Sequence, residues 1–485
     1  MIPPAPIALD PEVEAWLRGG AGEGLRLERV IETSISWVFL FEDRALKLKK
    51  PVDFGFLDFS TPRKRLWAAR REVAFNKLTA PDIYRRVLEI GADADGVLGR
   101  ARAGPLVEVA VEMRRFDPDA TAQRLLPLDP DLAERLGRRV ARAQGGARLA
   151  RAHGGAEGLA YIIGSNAEHL RACAATLGAE AVERLIGAID AAFEHRRGLL
   201  DERQALGLCR ACHGDLHLGN VLIEAGEPLL FDCIEFSDAL RQIDVLYDVG
   251  FAFMDLAFRG DLAGANRAFN GWLDEAARHG LAHLPGLSAL PLFQSVRASI
   301  RAHVRAREGE TQEARRYLDF GLAALAAPPP RVIAIGGLSG SGKTTRARRL
   351  APSLGSPPGA VVLRSDEIRK RLFGAAPTQR LDPDAYSSGA GVRVYAALMT
   401  EARGILGAGC SVVADAVFLR PDERRAIEAV ARDAGADFEA VWLDAPPSTL
   451  EARIDARGDD ASDADAQVLA LQLQTDPGRV GWPRV

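Results

Sequence analysis

The sequence predicts two structural classes in series, an α+β part with a small strand-rich lobe and a larger helical one, then an α/β part with helices on both faces of a parallel sheet. Three observations predict this. Segments alternating apolar and polar residues crowd the chain up to Phe116. From Leu132 the periodicity turns mostly helical, up to Ala324. After Pro328, Pro329 and Pro330, which no helix can continue through, short apolar runs alternate with polar, helix-compatible segments.

Composition bounds what such a chain does. Its 485 residues suffice for two or three domains at about 150 residues each. With 62 Lys+Arg against 66 Asp+Glu the net charge is −4, which argues against nucleic-acid binding and against a polybasic membrane anchor. Only seven of the basic residues are lysines, so a lysine inside a phosphate-binding motif stands out from an arginine background. No apolar run reaches the roughly 18 residues that span a bilayer, and the start MIPPAPIALDPEVEAW has neither a basic leader nor an apolar stretch, so a cytoplasmic protein is expected. Five cysteines in this length exclude a disulfide scaffold.

In order along the chain, residues 1–24 are expected to form an extension. LRLERVIE, SWVFLFE and RALKLKK then read as strands with a turn at Glu42-Asp43, followed by a helix from about Pro62 to Leu78. YRRVLEI, VLGRA and VEVAVEMRRF complete a small lobe over about 25–116, and DLAERLGRRVARA and AEAVERLIGAIDAAFEHRRGLL open a helical lobe over about 117–327. The prolines at 328–330 form a linker, and RVIAIGG, AVVLRS, CSVVADAVF and FEAVWLD are the parallel strands of a last domain, 331–485.

The first chemical signal is His213-Gly-Asp-Leu-His-Leu-Gly-Asn220, with the strand LLFDCIEF closing on Asp232. Phosphoryl transfer to a hydroxyl needs a carboxylate to take the hydroxyl proton, an amide near a divalent cation, and a second carboxylate to hold that cation against the phosphates. Asp215, Asn220 and Asp232 supply these in order, Lys47 at the end of a strand would reach the phosphates, and Glu72 on the next helix would pair with it. Plainer readings stand beside these. Lys49 and Lys50 read as a solvated strand end, Arg70-Arg71-Glu72 as surface charge, and His213 and His217 as scaffolds of their loop. Asp244, Asp248 and Asp255 share a helix face and line either a pocket or a wet surface. Cys209, Cys212 and His213 spell CxxCH, a haem pattern, and with His217 a zinc quartet, but the longer motif absorbs both histidines.

At these residues the sequence resembles the aminoglycoside-phosphotransferase family, bilobal relatives of the protein kinases. The resemblance covers most of 25–320 and implies a protein-kinase-like fold, with ATP- and Mg2+-dependent transfer of a γ-phosphoryl group to a small-molecule hydroxyl. It implies Asp215 as base, Asn220 and Asp232 as metal ligands and Lys47 on the nucleotide. Two departures are visible: IETSISWVFL, ahead of Lys47, holds no glycine, leaving Ser34 and Ser36 as substitutes for a glycine-rich loop, and Asp232-Cys-Ile-Glu235 replaces DFG.

The second signal is Gly337-Leu-Ser339-Gly340-Ser341-Gly342-Lys343-Thr344, a complete GxxxxGK[ST] between strand and helix, with Thr345 following. Its backbone N–H groups would cradle phosphates, Lys343 would reach the β and γ oxygens, and Thr344 would offer a hydroxyl to Mg2+. Asp366 ends the next strand as a candidate base, Arg369 follows as a clamp, and Asp415 closes CSVVADAVF as a partner of the metal. Arg453 and Arg457, four apart, suit a lid, although a solvated helix would look the same.

This half resembles the P-loop kinases of the zeta-toxin and polynucleotide-kinase type, which implies a P-loop NTPase fold, Asp366 as base, Arg369 as clamp and Arg453 with Arg457 as lid. Such folds usually close with a strand and helix after the lid, whereas this chain ends in GWPRV. The expectation is a bifunctional ATP- and Mg2+-dependent kinase acting on a small-molecule hydroxyl. The rivals are a half that binds nucleotide only to regulate the other, an ATPase that drives motion, and an antibiotic-modifying enzyme. The acceptor and the oligomeric state are not readable from sequence.

Overall fold

The computed structural model describes residues 8–55, 57–100, 104–456 and 461–485. They form two compact units, one of Met1–Leu126, Ala147–Gly154 and Cys209–Ile243, the other of Pro127–Gly146, Gly155–Leu208 and Asp244–Val485. Among the described residues no helix is long and apolar enough to cross a membrane.

The first unit is built on an antiparallel sheet of β1 (Leu27–Glu32), β2 (Ser36–Phe41), β3 (Arg44–Lys49), β4 (Tyr84–Ala92), β5 (Leu98–Arg100) and β6 (Leu106–Arg114), in the order β1-β2-β3-β6-β4-β5. Strand alternation sorts β3 onto two faces. Leu46 and Leu48 join Trp37, Phe39 and Phe41 in a core that the helix Pro11–Arg18 completes with Val13 and Leu17, so residues of the N-terminal 24 belong to this lobe's packing. The opposite face of β3, with Ala45, Lys47 and Lys49, looks toward the helix Pro62–Asn76.

That helix starts where Thr61 accepts a hydrogen bond from the Lys64 N–H and Pro62 occupies the first turn. Its buried stripe is Arg65, Ala68, Ala69, Glu72 and Asn76, at helical spacing. A charged stripe can be buried only if it is paired. Arg65 meets Glu108 through two hydrogen bonds of 2.7 and 2.9 Å, and Glu72 meets the lysines of β3.

β7 (Cys209–Ala211) precedes the HGDLHLGN loop, and β8 (Val221–Glu224) and β9 (Glu227–Leu230) follow it as a hairpin. Its two-residue turn has φ of +49° at Ala225 and +78° at Gly226, the mirror-image turn that suits the strand twist. The hairpin thereby places Asn220 just before it and Asp232 just after it.

In the second unit the helices Pro130–Gly146 and Leu262–Arg278 approach so closely that a Cβ on Gly137 would lie 1.9 Å from the Ala268 carbonyl oxygen. The helix Val245–Phe258 is buried along its whole length, and β10 (Gln242–Asp244) leads into it. The α/β part follows with β11 (Arg331–Gly337), β12 (Val361–Arg364), β13 (Val412–Asp415) and β14 (Asp437–Leu443), parallel throughout in the order β12-β13-β11-β14. GWPRV runs beside β14, where Arg484 bridges Trp442 in parallel and Trp482 packs on Phe418 and Phe438. The last residues thus supply a rudimentary strand that covers this edge of the sheet.

Candidate functional site

In the first unit, alternation brings Lys47 and Lys49 side by side over Glu72. Lys47 Nζ lies 2.9 Å from Glu72 Oε1 and 2.5 Å from Asp232 Oδ1. Lys49 Nζ lies 2.7 Å from Glu72 Oε2 and also meets Glu235. Burial pulls the Lys47 ammonium down, but Asp232 and Glu72 outweigh it and hold it well above its ordinary value. Burial pushes the Glu72 carboxyl up, and the two ammonium groups overcome this and hold it at about 2. Glu235 goes the other way, raised by burial against the pull of Lys49.

Two plainer sequence readings are corrected here. Glu72 is wholly buried rather than surface charge, and Lys49 and Lys50 are buried rather than solvated. The reason is geometric, because residues two apart on a strand share a face, and Lys50 turns instead to Glu32 and the Trp37 ring.

The HGDLHLGN loop is self-bonded. Asn220 Nδ2 donates to the Asp215 carbonyl oxygen at 2.9 Å and to its carboxylate at 3.2 Å. The Asp215 N–H donates to His213 Nδ1 at 3.4 Å, so His213 carries its proton on Nε2, 2.9 Å from the Phe231 carbonyl. His217 Nδ1 accepts from the Gly219 N–H at 3.0 Å, and its Nε2 faces Asp215 Oδ2 at 3.6 Å. Both histidines brace the loop, and ring nitrogens that a haem or zinc site would use are spent on it. Asp232 sits at φ +60°, its N–H donating to the Tyr84 hydroxyl, while Asn76 receives the next N–H from Cys233. Such a backbone is costly for a residue other than glycine and persists only where its surroundings impose it.

The Asp215 and Asp232 side chains are 44% and 39% exposed, whereas Lys47 and Glu72 lie behind them. The accessible Asp232 carboxylate and the amide oxygen of Asn220 are both oxygen donors, which fits a hard divalent cation carrying phosphate and leaves the accessible Asp215 carboxylate for a proton. Ahead of Lys47, the Ser36 hydroxyl is buried, Thr33 is exposed but its hydroxyl bonds the Ser36 backbone, and Ser34 is exposed, so the β1–β2 turn offers little side-chain chemistry to a phosphate. Asp244, Asp248 and Asp255 line neither a pocket nor a wet face. Asp244 caps its helix and binds Arg203 at 2.7 Å, Asp248 accepts from Gln144 at 3.0 Å, and Asp255 binds Arg259 at 2.8 Å.

In the second unit the GxxxxGKT loop joins β11 to the helix Lys343–Leu350. Gly337, Gly340 and Gly342 have φ of +136°, +79° and +90°, and a Cβ on Gly340 would lie 2.6 Å from the Leu450 carbonyl oxygen. The Ser341 hydroxyl is buried without a partner, as expected of a loop shaped around an anion. Lys343 Nζ donates to the Leu338 carbonyl at 2.9 Å, Thr344 Oγ1 donates to Asp415 Oδ2 at 2.7 Å, and Thr345 is exposed. These groups fit a triphosphate and its cation. Ser339 differs from its expected part, since its N–H and hydroxyl are both taken by the side-chain amide of Gln472, at 2.9 and 3.0 Å.

Asp366 opens the helix Ser365–Leu372, and Arg369 donates to the Ala385 carbonyl at 2.5 Å beneath the Tyr386 ring. Arg453 Nη1 reaches the Gly340 carbonyl at 3.4 Å, whereas Arg457 lies outside the described residues. Sequence reasoning passed over Asp463, which receives Lys370 Nζ at 2.7 Å and the Tyr386 hydroxyl at 2.5 Å, and it passed over Lys49 and Glu235. For Lys49 the signal was available in the strand period; Asp463 and Gln472 carry none.

A family model described as the phosphotransferase enzyme family matches residues 69–284, and one described as an AAA domain matches 332–476. Uncharacterized proteins of Mycobacterium tuberculosis and Mycobacterium bovis are 31% identical over 459 residues, covering 91% of this chain and 88% of theirs. Among solved structures, choline kinase from Cryptosporidium parvum is 12% identical with a TM-score of 0.44, covering 65% of this chain and 95% of its own. The Mycobacterium tuberculosis APS kinase in complex with AMPPNP and APS is 26% identical with a TM-score of 0.25, covering 33% of this chain and 88% of its own. The chain belongs to the same family as these mycobacterial proteins, and it carries a phosphotransferase-family, kinase-like domain followed by a C-terminal AAA-type P-loop domain.

Proposed function

We propose that this phosphotransferase has two ATP sites, each bringing a hydroxyl of a small-molecule acceptor in line with a γ-phosphoryl group, with domains at 25–327 and 331–485. The observation that carries the reading is the convergence of Lys47, Glu72 and Asp232, distant in sequence and joined by contacts of 2.9 and 2.5 Å, beside an Asp215 tied to Asn220. In the first site Asp215 takes the proton of the acceptor hydroxyl, Lys47 binds the nucleotide phosphates, and Glu72 keeps Lys47 charged and oriented. In the second, Asp366 takes the proton, Lys343, Arg369 and Arg453 bind phosphates, and Thr344 and Asp415 stand at the cation. Asn220 with Asp232, and Thr344 with Asp415, would hold Mg2+, which when bound neutralises charge on the phosphoryl oxygens. Positioning and charge stabilisation then supply most of the rate.

Asp244 and Asp255, candidates for an acidic, aminoglycoside-like pocket, are consumed by a helix cap and ion pairs, which favours another acceptor class. One observation favours the regulatory alternative for the first half, namely the glycine-free β1–β2 turn with its single accessible serine hydroxyl. ATP consumption with a metabolite extract decides between them. Asp215→Asn should lower turnover at its own site by about 100-fold or more, the range for loss of a positioned proton acceptor, and Lys343→Ala should lower it at the P-loop site by removing the charge that stabilises the phosphoryl oxygens. The double variant should be silent. If turnover survives Asp215→Asn unchanged, the first half is a regulator; if it survives both, the kinase reading fails.

A further inference from the structure

One edge of the P-loop sheet is β12, which among the described residues has a strand partner, β13, on one side. An edge strand leaves every second N–H and C=O without a strand partner, and burying them so costs stability. Here the partners come from the helix Leu262–Arg278, which lies within the segment matched as the phosphotransferase enzyme family. Asn270 Oδ1 accepts the Val362 N–H at 2.7 Å, and its Nδ2 lies 3.3 Å from the Ala360 carbonyl oxygen. Asn266, 1% exposed, donates to the carbonyls of Pro358 and Ala360 at 2.9 Å each. Two side-chain amides one helical turn apart thus imitate a neighbouring strand.

The strand held in this way ends at the nucleotide site. Arg364, its last residue, is in register with Asp415 on β13. Its Nε lies 3.6 Å from Asp415 Oδ2, the atom that accepts the Thr344 hydroxyl at 2.7 Å, and its Nη1 donates to Glu367 at 2.9 Å. A second tether runs from the same helix to the helix Ser365–Leu372, where Asp274 bonds Arg138 at 2.6 Å and Arg371 at 2.8 Å. The seam is polar. A cleft lined by Arg138, Asn270, Arg348, Arg364 and Glu367 runs along it, so on this edge directed hydrogen bonds hold β12, while its apolar side chains pack in the sheet's own core.

We propose that Asn270 is a positioning residue of the P-loop site: by fixing β12 it sets Arg364 against Asp415, and through this the kinase-like part governs how tightly the P-loop part grips nucleotide and cation. This rests on the reading that Lys343 and Thr344 bind a triphosphate with Mg2+. Coupling of this kind is reciprocal, so ATP at the P-loop would in turn stiffen the helix Leu262–Arg278.

The test uses the full chain, a fluorescent ATP analogue and Mg2+, at a temperature well below unfolding, with the binding lost in Lys343→Ala defining the P-loop component. Asn270→Ala should weaken that component at least fivefold and leave the remaining component unchanged. Asn270→Gln, which keeps an amide able both to accept and to donate, should lose less of that component than Asn270→Ala does. In parallel, hydrogen exchange over Val361–Arg364 should speed up more in Asn270→Ala than in Asn270→Gln. Unchanged P-loop affinity in Asn270→Ala, or an equal loss in both components as general loosening would give, overturns the proposal. If Lys343→Ala itself changes nothing, the nucleotide reading falls and this proposal falls with it.

Discussion

Glu72 shows how much a single buried carboxylate is asked to do. It is shared by two ammonium groups, each of which it shares in turn with a second carboxylate, Asp232 for Lys47 and Glu235 for Lys49. A carboxyl held at about 2 against an ordinary 4.5 favours the charged, folded lobe by about 3 kcal/mol at neutral pH. Because its folded value is depressed, this stabilisation is complete above pH 4.5 and is lost as the pH falls toward 2. Glu235, raised by burial, has the opposite sign, since its contribution is present below pH 4.5 and is lost as the pH rises, so it offsets part of the Glu72 stabilisation at neutral pH. The stability difference between the parent and Glu72→Gln, from urea unfolding at a series of pH values, should therefore be large at pH 7 and shrink toward pH 3. A difference independent of pH would mean that Glu72 acts by shape alone. Lys49→Met tests the neighbouring role, since Glu72 would lose one of its two cations; the nucleotide KM should rise while Asp215 keeps its hydrogen bonds.

At the scale of elements, close approach decides more than hydrophobicity. Gly137 lets the helices Pro130–Gly146 and Leu262–Arg278 meet backbone to backbone, and a methyl there would stand 1.9 Å from a carbonyl oxygen. Gly137→Ala should cost about 1–3 kcal/mol, the usual penalty of overpacking, read as a lower urea midpoint. The same displacement would shift Asn270, so P-loop affinity should fall along with stability. The strands and most helices were legible in the sequence because period two and period 3.6 are local properties: all four parallel strands, the small-lobe strands and the capped helix at Pro62 lie where the pattern predicts. The strand-like contact of GWPRV with β14 was not legible, because a short edge segment has no period of its own and acquires its conformation from its neighbour.

Across the whole molecule, the two proposed ATP sites predict two increments of stabilisation. A ligand at 100 times its Kd adds about 2.7 kcal/mol per site if it binds only the folded form. Thermal unfolding with and without Mg–ATP should lose one increment in Lys343→Ala and the other in Asp232→Asn; a parent chain with a single increment would contradict two sites. The sequence by itself determined the two classes of domain, the HGDLHLGN and GxxxxGKT motifs and the chemistry they invite, because spacing along a chain preserves local backbone geometry. Only the tertiary structure decided that Glu72 is buried between Lys47 and Lys49, that Asp244, Asp248 and Asp255 serve packing, that Gln472 occupies Ser339, and that two asparagines of one domain border the sheet of the next. Those facts depend on which distant segments are desolvated together, and the cost of leaving a buried polar group unpaired is settled only when the chain has closed on itself.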